Sequence, residues 1–234
     1  MKGEWRTDVI WHEAECGGYA ADLDLWEEMA TTSEGQVLEL GCGSGRVCSH
    51  LERRGHEVVG LDSDPKLIGN LANAKVGDAR EFKLDHRFGL VLAPMQLIQL
   101  FAGAGERQRC LACVAAHLTP GGLAAFAIVE SMPEPTDDAS PLPDTREVDG
   151  WVYSSLPVDA RVDDDAIRVR RLRQTVSPHG EFSEELYEVA LRTLDAGTLE
   201  AEAKDAGLIP AGRRAIGPSD AHVGSTVVLF GREA

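Results

Sequence analysis

Between Glu39 and Asp62 the chain sets two acids and a run of alternate glycines at spacings that suit the binding of a nucleoside. Val37 to Leu40 is apolar and strand-like, Gly41-Cys42-Gly43-Ser44-Gly45-Arg46 follows, and after a helical stretch His56-Glu57-Val58-Val59-Gly60-Leu61 forms a second strand closing on Asp62. Glycines at 41, 43 and 45 let the backbone turn sharply after a strand and let a ligand lie against it without meeting a Cβ. The helix that follows presents unpaired N–H groups at the same place. An acid ending the second strand is placed to accept both hydroxyl hydrogens of a ribose, as in the first crossover of a doubly wound sheet.

The flanking residues narrow the choice of nucleoside. A dinucleotide fingerprint needs a third glycine three positions after the second, and position 46 is Arg. Glu39 stands two residues ahead of the first glycine, at a strand end expected to face the ligand. A carboxylate there repels a pyrophosphate and attracts an α-amino group or a sulfonium. S-adenosylmethionine carries both. On these residues the chain resembles the class I S-adenosylmethionine-dependent methyltransferases of small-molecule type, whose first motif is matched by Val37 to Arg46 and whose second-strand acid is matched by Asp62. The resemblance extends to Gly77-Asp78-Ala79, and it implies that the Asp78 side chain meets the adenine amino group and the Ala79 N–H the ring. Leu118-Thr119-Pro120-Gly121-Gly122 is similar to the family's turn into its fifth strand, and Thr198 to Leu208 to its late helix. Small-molecule members carry a Tyr-Asp pair near the N-terminus where this chain has Trp11-His12. That departure leaves Tyr19 to reach the methionyl carboxylate, with core packing of an amphipathic helix as its other reading. The cofactor set implied is Tyr19, Glu39, Gly41, Cys42, Gly43, Gly45, Asp62, Ser63, Asp78, Ala79 and Pro94.

The elements that must position these residues follow from periodicity. Ala14 to Ala30 predicts one amphipathic helix, with Tyr19, Leu23, Trp26 and Ala30 at helical spacing, covering the cofactor. Pro65 predicts a helix start, Ala74 to Gly77 a short strand, Arg87 to Leu92 a fourth strand, Gly105 to Leu118 a helix and Leu123 to Glu130 a fifth strand. This alternation specifies a doubly wound, mostly parallel seven-stranded sheet, a Rossmann-like α/β fold. Ser131 to Gly150, rich in proline and acids, predicts a surface loop. Trp151 to Leu156, Ile167 to Val176 and Glu181 to Arg192 predict an antiparallel cap, with Ser177-Pro178-His179-Gly180 as a hairpin turn. A helix over Thr198 to Ala206 ending at Gly207, and strands at Pro210 to Ile216 and Ser225 to Arg232, complete the sheet. The expected organisation is one domain over residues 1–234, with an N-terminal helical cover over 1–33 and an inserted loop and cap over 131–192.

Chemistry on an activated methyl needs alignment and exclusion of water more than a protein nucleophile, so no residue stands out as catalytic. Gln96, in Pro94-Met95-Gln96 after the fourth strand, is a candidate for orienting an acceptor. His12 and His222 flank the expected pocket mouth and are candidates for a base. Cys110 and Cys113 read as core packing, and the seven histidines show no metal spacing, so no metal is expected. The Arg168-Val169-Arg170-Arg171-Leu172-Arg173 run reads as a solvated face paired with Asp163-Asp164-Asp165, or as inward arginines that hold an acidic acceptor. A net charge of −16 repels phosphodiester backbones, which argues against nucleic acid as partner. Five cysteines without a framework spacing, no leader-like start and no bilayer-length apolar run predict a cytoplasmic protein with no membrane contact. The expected partner is a small-molecule acceptor methylated on N or O, with oligomeric state left open and a homodimer among the options. Two other readings are a protein that binds S-adenosylmethionine without turnover and a nicotinamide-dependent oxidoreductase, the latter disfavoured by Glu39 and Arg46.

Overall fold

The structure, a computed structural model, describes residues 4–132, 142–219 and 222–232. Helices α1 (Glu4–Cys16) and α2 (Leu23–Thr32) precede β1 (Val37–Leu40), α3 (Arg46–Arg53), β2 (Val58–Asp62), β3 (Ala74–Val76) and β4 (Phe88–Ala93). After α4 (Ala104–His117) and β5 (Leu118–Ile128) come β6 (Asp144–Val148), β7 (Trp151–Val162), β8 (Ala166–Val176) and β9 (Phe182–Arg192), then α5 (Ala196–Asp205), β10 (Ile209–Ile216) and β11 (Ser225–Gly231). Seven strands form one sheet in the order β10-β11-β5-β4-β1-β2-β3, and β6-β7-β8-β9 form a second, antiparallel sheet. Strand β1 pairs in parallel with both β2 and β4, so chain order reverses between β1 and β4. The crevice beyond their carboxyl ends is where doubly wound sheets take ligands.

Side-chain alternation divides the core into two layers. Leu38, Val91, Phe126 and Phe230 point to one face and pack with Leu111 of α4 and Leu199 of α5. Val37, Leu92, Ala127 and Val227 point to the other and pack with Trp26 of α2 and Leu51 of α3. All six residues of β4 are buried, as a central strand covered on both faces requires. A two-pronged Arg107–Glu202 pair, at 2.6 and 2.8 Å, joins α4 to α5. Helix α5 starts where Asp195 accepts the Thr198 N–H at 2.8 Å. It ends at Gly207, whose φ of 83° allows Leu208 N–H to reach back to Ala203 O.

Four expectations are corrected. The single helix over Ala14 to Ala30 is two helices, broken at Gly17-Gly18, where helix propensity is lowest, and Tyr19 lies in the connection. No helix follows Pro65. Asp64 Oδ1 accepts the Lys66 N–H at 2.8 Å and residues 65–70 form turns, because Gly69, Asn70 and Asn73 leave too short a run to nucleate one. The presumed loop before Gly150 contains β6, whose hairpin partner is β7. Asp149 and Gly150, at φ 51° and 78°, form the two-residue turn that Asp-Gly favours. Strand β5 begins at Leu118 rather than Leu123, with the Pro120-Gly121-Gly122 bend inside it, where pairing with β4 shifts register.

Candidate functional site

The glycine turn lies over the carboxyl ends of β1 and β2. Gly41 and Cys42 N–H groups both donate to Leu61 O, at 2.8 and 3.1 Å, and tie the turn to β2. Gly43 N–H donates to Asp62 Oδ2 at 2.8 Å, and Asp64 N–H to Oδ1 at 2.9 Å. Each carboxylate oxygen of Asp62 thus takes one backbone bond and retains a lone pair, so the acid fits a ribose diol. The loop glycines adopt φ values of 65°, 53° and 90°. A Cβ on them would stand 2.8 Å from Leu97 Cδ1, 2.3 Å from His12 Cε1 and 2.4 Å from Leu71 Cδ2 respectively. The space a Cβ would take at each of these glycines is thus filled by a side chain of this chain, and at Gly43 by an imidazole of α1, rather than left open for a ligand as the sequence predicts. His12 Nδ1 is 3.2 Å from Ser44 Oγ, and burial holds the ring below its usual pKa range.

Glu39 is buried and does not face the crevice. Strand alternation puts it on the side of Val37, under α3, where its Oε2 accepts the Cys48 N–H at 2.8 Å. Gly45 at the helix N-cap has no side chain to satisfy the first-turn donors, and Glu39 supplies the missing acceptor. Burial pushes its carboxyl up to about 7. Asp78 is also engaged within the chain: Arg80 donates to both its oxygens, at 2.6 to 3.1 Å, and holds its carboxyl below the usual range. Ala79 and Pro94 are buried beside the crevice strands, Cys42 is buried within the turn and Ser63 is exposed after Asp62.

A network that the sequence does not announce links the turn to the N-terminal helices. Arg46 donates to both oxygens of Asp22, at 2.6 and 2.7 Å, and to Tyr19 O at 2.9 Å. Asp22 also accepts the Trp26 indole N–H at 2.8 Å. The Arg46 guanidinium lies 5.1 Å from the Tyr19 ring, and the His222 ring lies 4.6 Å from it. Tyr19 and His222 are thus brought together, and burial shifts the tyrosine pKa up and the histidine pKa down. Beyond β4, Met95 and Gln96 occupy consecutive left-handed conformations, φ 49° and 61°. Side chains disfavour that region, and strain of this kind gathers at functional sites. Gln96 Nε2–H donates to Ser225 Oγ at 3.0 Å.

The arginine run does not offer a free anion site. Arg173 donates twice to Glu15 at 2.7 Å, Arg171 bonds Ser155 and Asp144, and Arg168 pairs with Asp163. Cys110 is in the core, and among the described residues no group of three or more His, Cys, Asp or Glu is placed to hold a metal ion.

The fold is that of the class I methyltransferases, of the Rossmann-like type. Residues 37–122 match the family model described as a methyltransferase domain. The chain is 31% identical over 110 residues to a dTDP-3-amino-3,6-dideoxy-alpha-D-glucopyranose N,N-dimethyltransferase of Streptomyces fradiae, covering 44% of this chain and 43% of the relative. It is 25% identical over 143 residues to a dTDP-3-amino-3,4,6-trideoxy-alpha-D-glucopyranose N,N-dimethyltransferase of Streptomyces venezuelae, covering 58% and 55%. The chain thus matches about half the length of these relatives. Its fold follows that of the sugar N-methyltransferase KedS8 from Streptoalloteichus with a TM-score of 0.75 and 18% identity, covering 100% of this chain and 95% of that one.

Proposed function

We propose that the chain is an S-adenosylmethionine-dependent methyltransferase acting on N or O of a small-molecule acceptor, with an amine of a nucleotide-linked amino sugar as the leading candidate. The observation that carries this reading is the bond from Gly43 N–H to Asp62 over the carboxyl ends of β1 and β2, which joins a glycine-rich turn to an acid placed to read a ribose. When bound, S-adenosylmethionine supplies a sulfonium methyl that a neutral amine attacks in line. The chain's part is to hold and align. Asp62, with Ser63 beside it, holds the ribose; Gly41, Cys42, Gly43 and Gly45 receive the methionyl arm; Asp78 and Ala79 meet the adenine. Tyr19 closes the methionyl end, and Pro94 and Gln96 front the acceptor. Alignment of two bound reactants contributes about 7 to 11 kcal/mol to lowering a barrier, enough without a protein nucleophile. His222, whose pKa burial lowers, is the candidate to take the proton an amine releases.

The amino-sugar acceptor rests on the names of two of the curated relatives, and the net charge of −16 argues against nucleic acid. No helix among the described residues is long and apolar enough to cross a membrane, and the cysteines are free thiols, which fits a reducing cytoplasm. We read residues 1–33 as a helical cover and 131–192 as an insertion in a single domain. Calorimetry with S-adenosylmethionine, S-adenosylhomocysteine and NAD tests the cofactor, and binding of NAD alone overturns the reading. Methyl-labelled cofactor with a dTDP-linked 3-amino-3,6-dideoxy sugar then tests transfer by mass. Binding without transfer to that sugar or to any component of a cell extract would favour a non-catalytic binder.

A further inference from the structure

Helix α1 is gripped on two sides. Toward the glycine turn, His12 lies against Gly43 and is hydrogen-bonded to Ser44. Toward the antiparallel sheet, three residues further along, Glu15 accepts two bonds from Arg173 and one from the Ser155 hydroxyl, each 2.7 Å. Burial alone would raise the Glu15 pKa, but the Arg173 and Ser155 bonds hold it below the usual range, so the pair stays charged at neutral pH. Trp11 reinforces this side, meeting the Tyr153 ring edge-on at 5.2 Å. Residues at i and i+3 are neighbours on a helix surface, so the two grips act on adjacent lines of one rigid rod.

His12 and Asp62 also address the same glycine from different directions. Asp62 takes the Gly43 N–H, His12 covers the side where a Cβ would be, and Asp62 is the charge with the largest influence on the His12 ring. With Nδ1 engaged by Ser44, Nε2 is the ring atom left to meet a ligand, and a neutral imidazole can give or accept one hydrogen bond there. It adds no positive charge beside a sulfonium.

Resting on the cofactor reading above, we propose that His12 contacts the ribose of the bound cofactor opposite Asp62, and that Glu15 is a positioning residue holding His12 there from the antiparallel sheet. Affinity for the cofactor is then set in part by the inserted sheet, through one helix. The imidazole is a specificity element for the ribose, independent of whatever acceptor the crevice receives.

The test uses the full chain and two nucleosides, S-adenosylhomocysteine and 5′-methylthioadenosine; the second keeps base and ribose and lacks the amino-acid arm. Calorimetric Kd values for wild type, His12→Ala, Glu15→Gln and the double variant are compared, with thermal midpoints as a check on folding. His12→Ala is expected to weaken both nucleosides about tenfold, the size of one hydrogen bond. Glu15→Gln is expected to weaken both by several-fold, and the double variant to be no weaker than His12→Ala alone. Unchanged or tighter binding by His12→Ala overturns the contact, and a loss confined to S-adenosylhomocysteine moves it off the ribose. Additive losses in the double variant refute the positioning role. Should Glu15→Gln fail to fold, Ser155→Ala replaces it with the same expectations. If wild type binds neither nucleoside, the cofactor reading falls and this inference with it.

Discussion

Glu39 offers a direct test of the site's electrostatics. Its carboxyl is pushed from an ordinary 4.5 up to about 7, chiefly by burial, and the Cys48 bonds and the Arg46 charge offset only part of that. An acid raised in the folded state binds its proton more tightly folded than unfolded. Its contribution to stability is therefore complete below about 4.5 and is lost as pH rises through 7. The gap between the two values corresponds to about 3 kcal/mol in the alkaline limit. Glu39→Gln keeps an oxygen for the Cys48 N–H and has no proton to lose. Urea unfolding of both proteins at about pH 5.5 and about pH 8.5 should show the variant's advantage widening by ~2 kcal/mol, since part of the penalty is already present at the lower pH. With a denaturant slope of about 2 to 3 kcal/mol/M, the difference in midpoints should widen by ~0.7 to 1 M. The other acids titrate alike in both proteins and cancel. A difference that stays constant across that range would show that Glu39 is not a desolvated acid and would refute the reasoning.

Asp62→Ala removes the acceptor for Gly43 N–H and the proposed ribose contacts, and calorimetry with S-adenosylhomocysteine should show a loss of tenfold or more, from bonds worth about 1.5 to 3 kcal/mol each. Unchanged affinity in a folded variant would remove Asp62 from the site. Arg46→Met leaves Asp22 as a buried unpaired charge and should lower stability by about 3 to 5 kcal/mol, read as a fall in Tm; an unshifted melt would show the pair to be idle. Gln99→Leu strands Val129 N–H and O and Arg192 O, which its amide now bonds. Its destabilisation should be about 2 to 4 kcal/mol in urea, and loss below ~1 kcal/mol would show that water replaces the amide.

Sequence periodicity located β1, β2, β4 and α4 because central strands and an amphipathic helix carry their own local signal. Glycine spacing located the turn for the same reason. What it could not show depends on partners far along the chain. Arg46 finds Asp22 24 residues earlier, and Arg173 finds Glu15 158 residues away, so neither pairing leaves a local mark. Two features were present in the sequence and outweighed by composition. Asp149-Gly150 is a strong hairpin signal, and it marks β6 inside a stretch that prolines make look like a loop. The parity of β1 places Glu39 with Val37 under α3 rather than toward the ligand, a conclusion that needs only the alternation of a strand. His12 was a candidate from its position alone; its contact with Gly43 required the two elements to be assembled.

The double grip on α1 has a consequence for how the chain is made. Ile10 and Trp11 are buried against Tyr153, and Glu15 against Ser155 and Arg173, partners 140 to 158 residues further along. At translation rates of about 5 to 20 residues per second, α1 leaves the ribosome roughly 7 to 30 s before those partners exist. The strands from β1 to β5 can pair in that interval, while Ile10 and Trp11 of α1 wait uncovered. Docking of α1 onto the antiparallel sheet thus waits for β8, and during that delay Ile10 and Trp11 lack the partner that buries them.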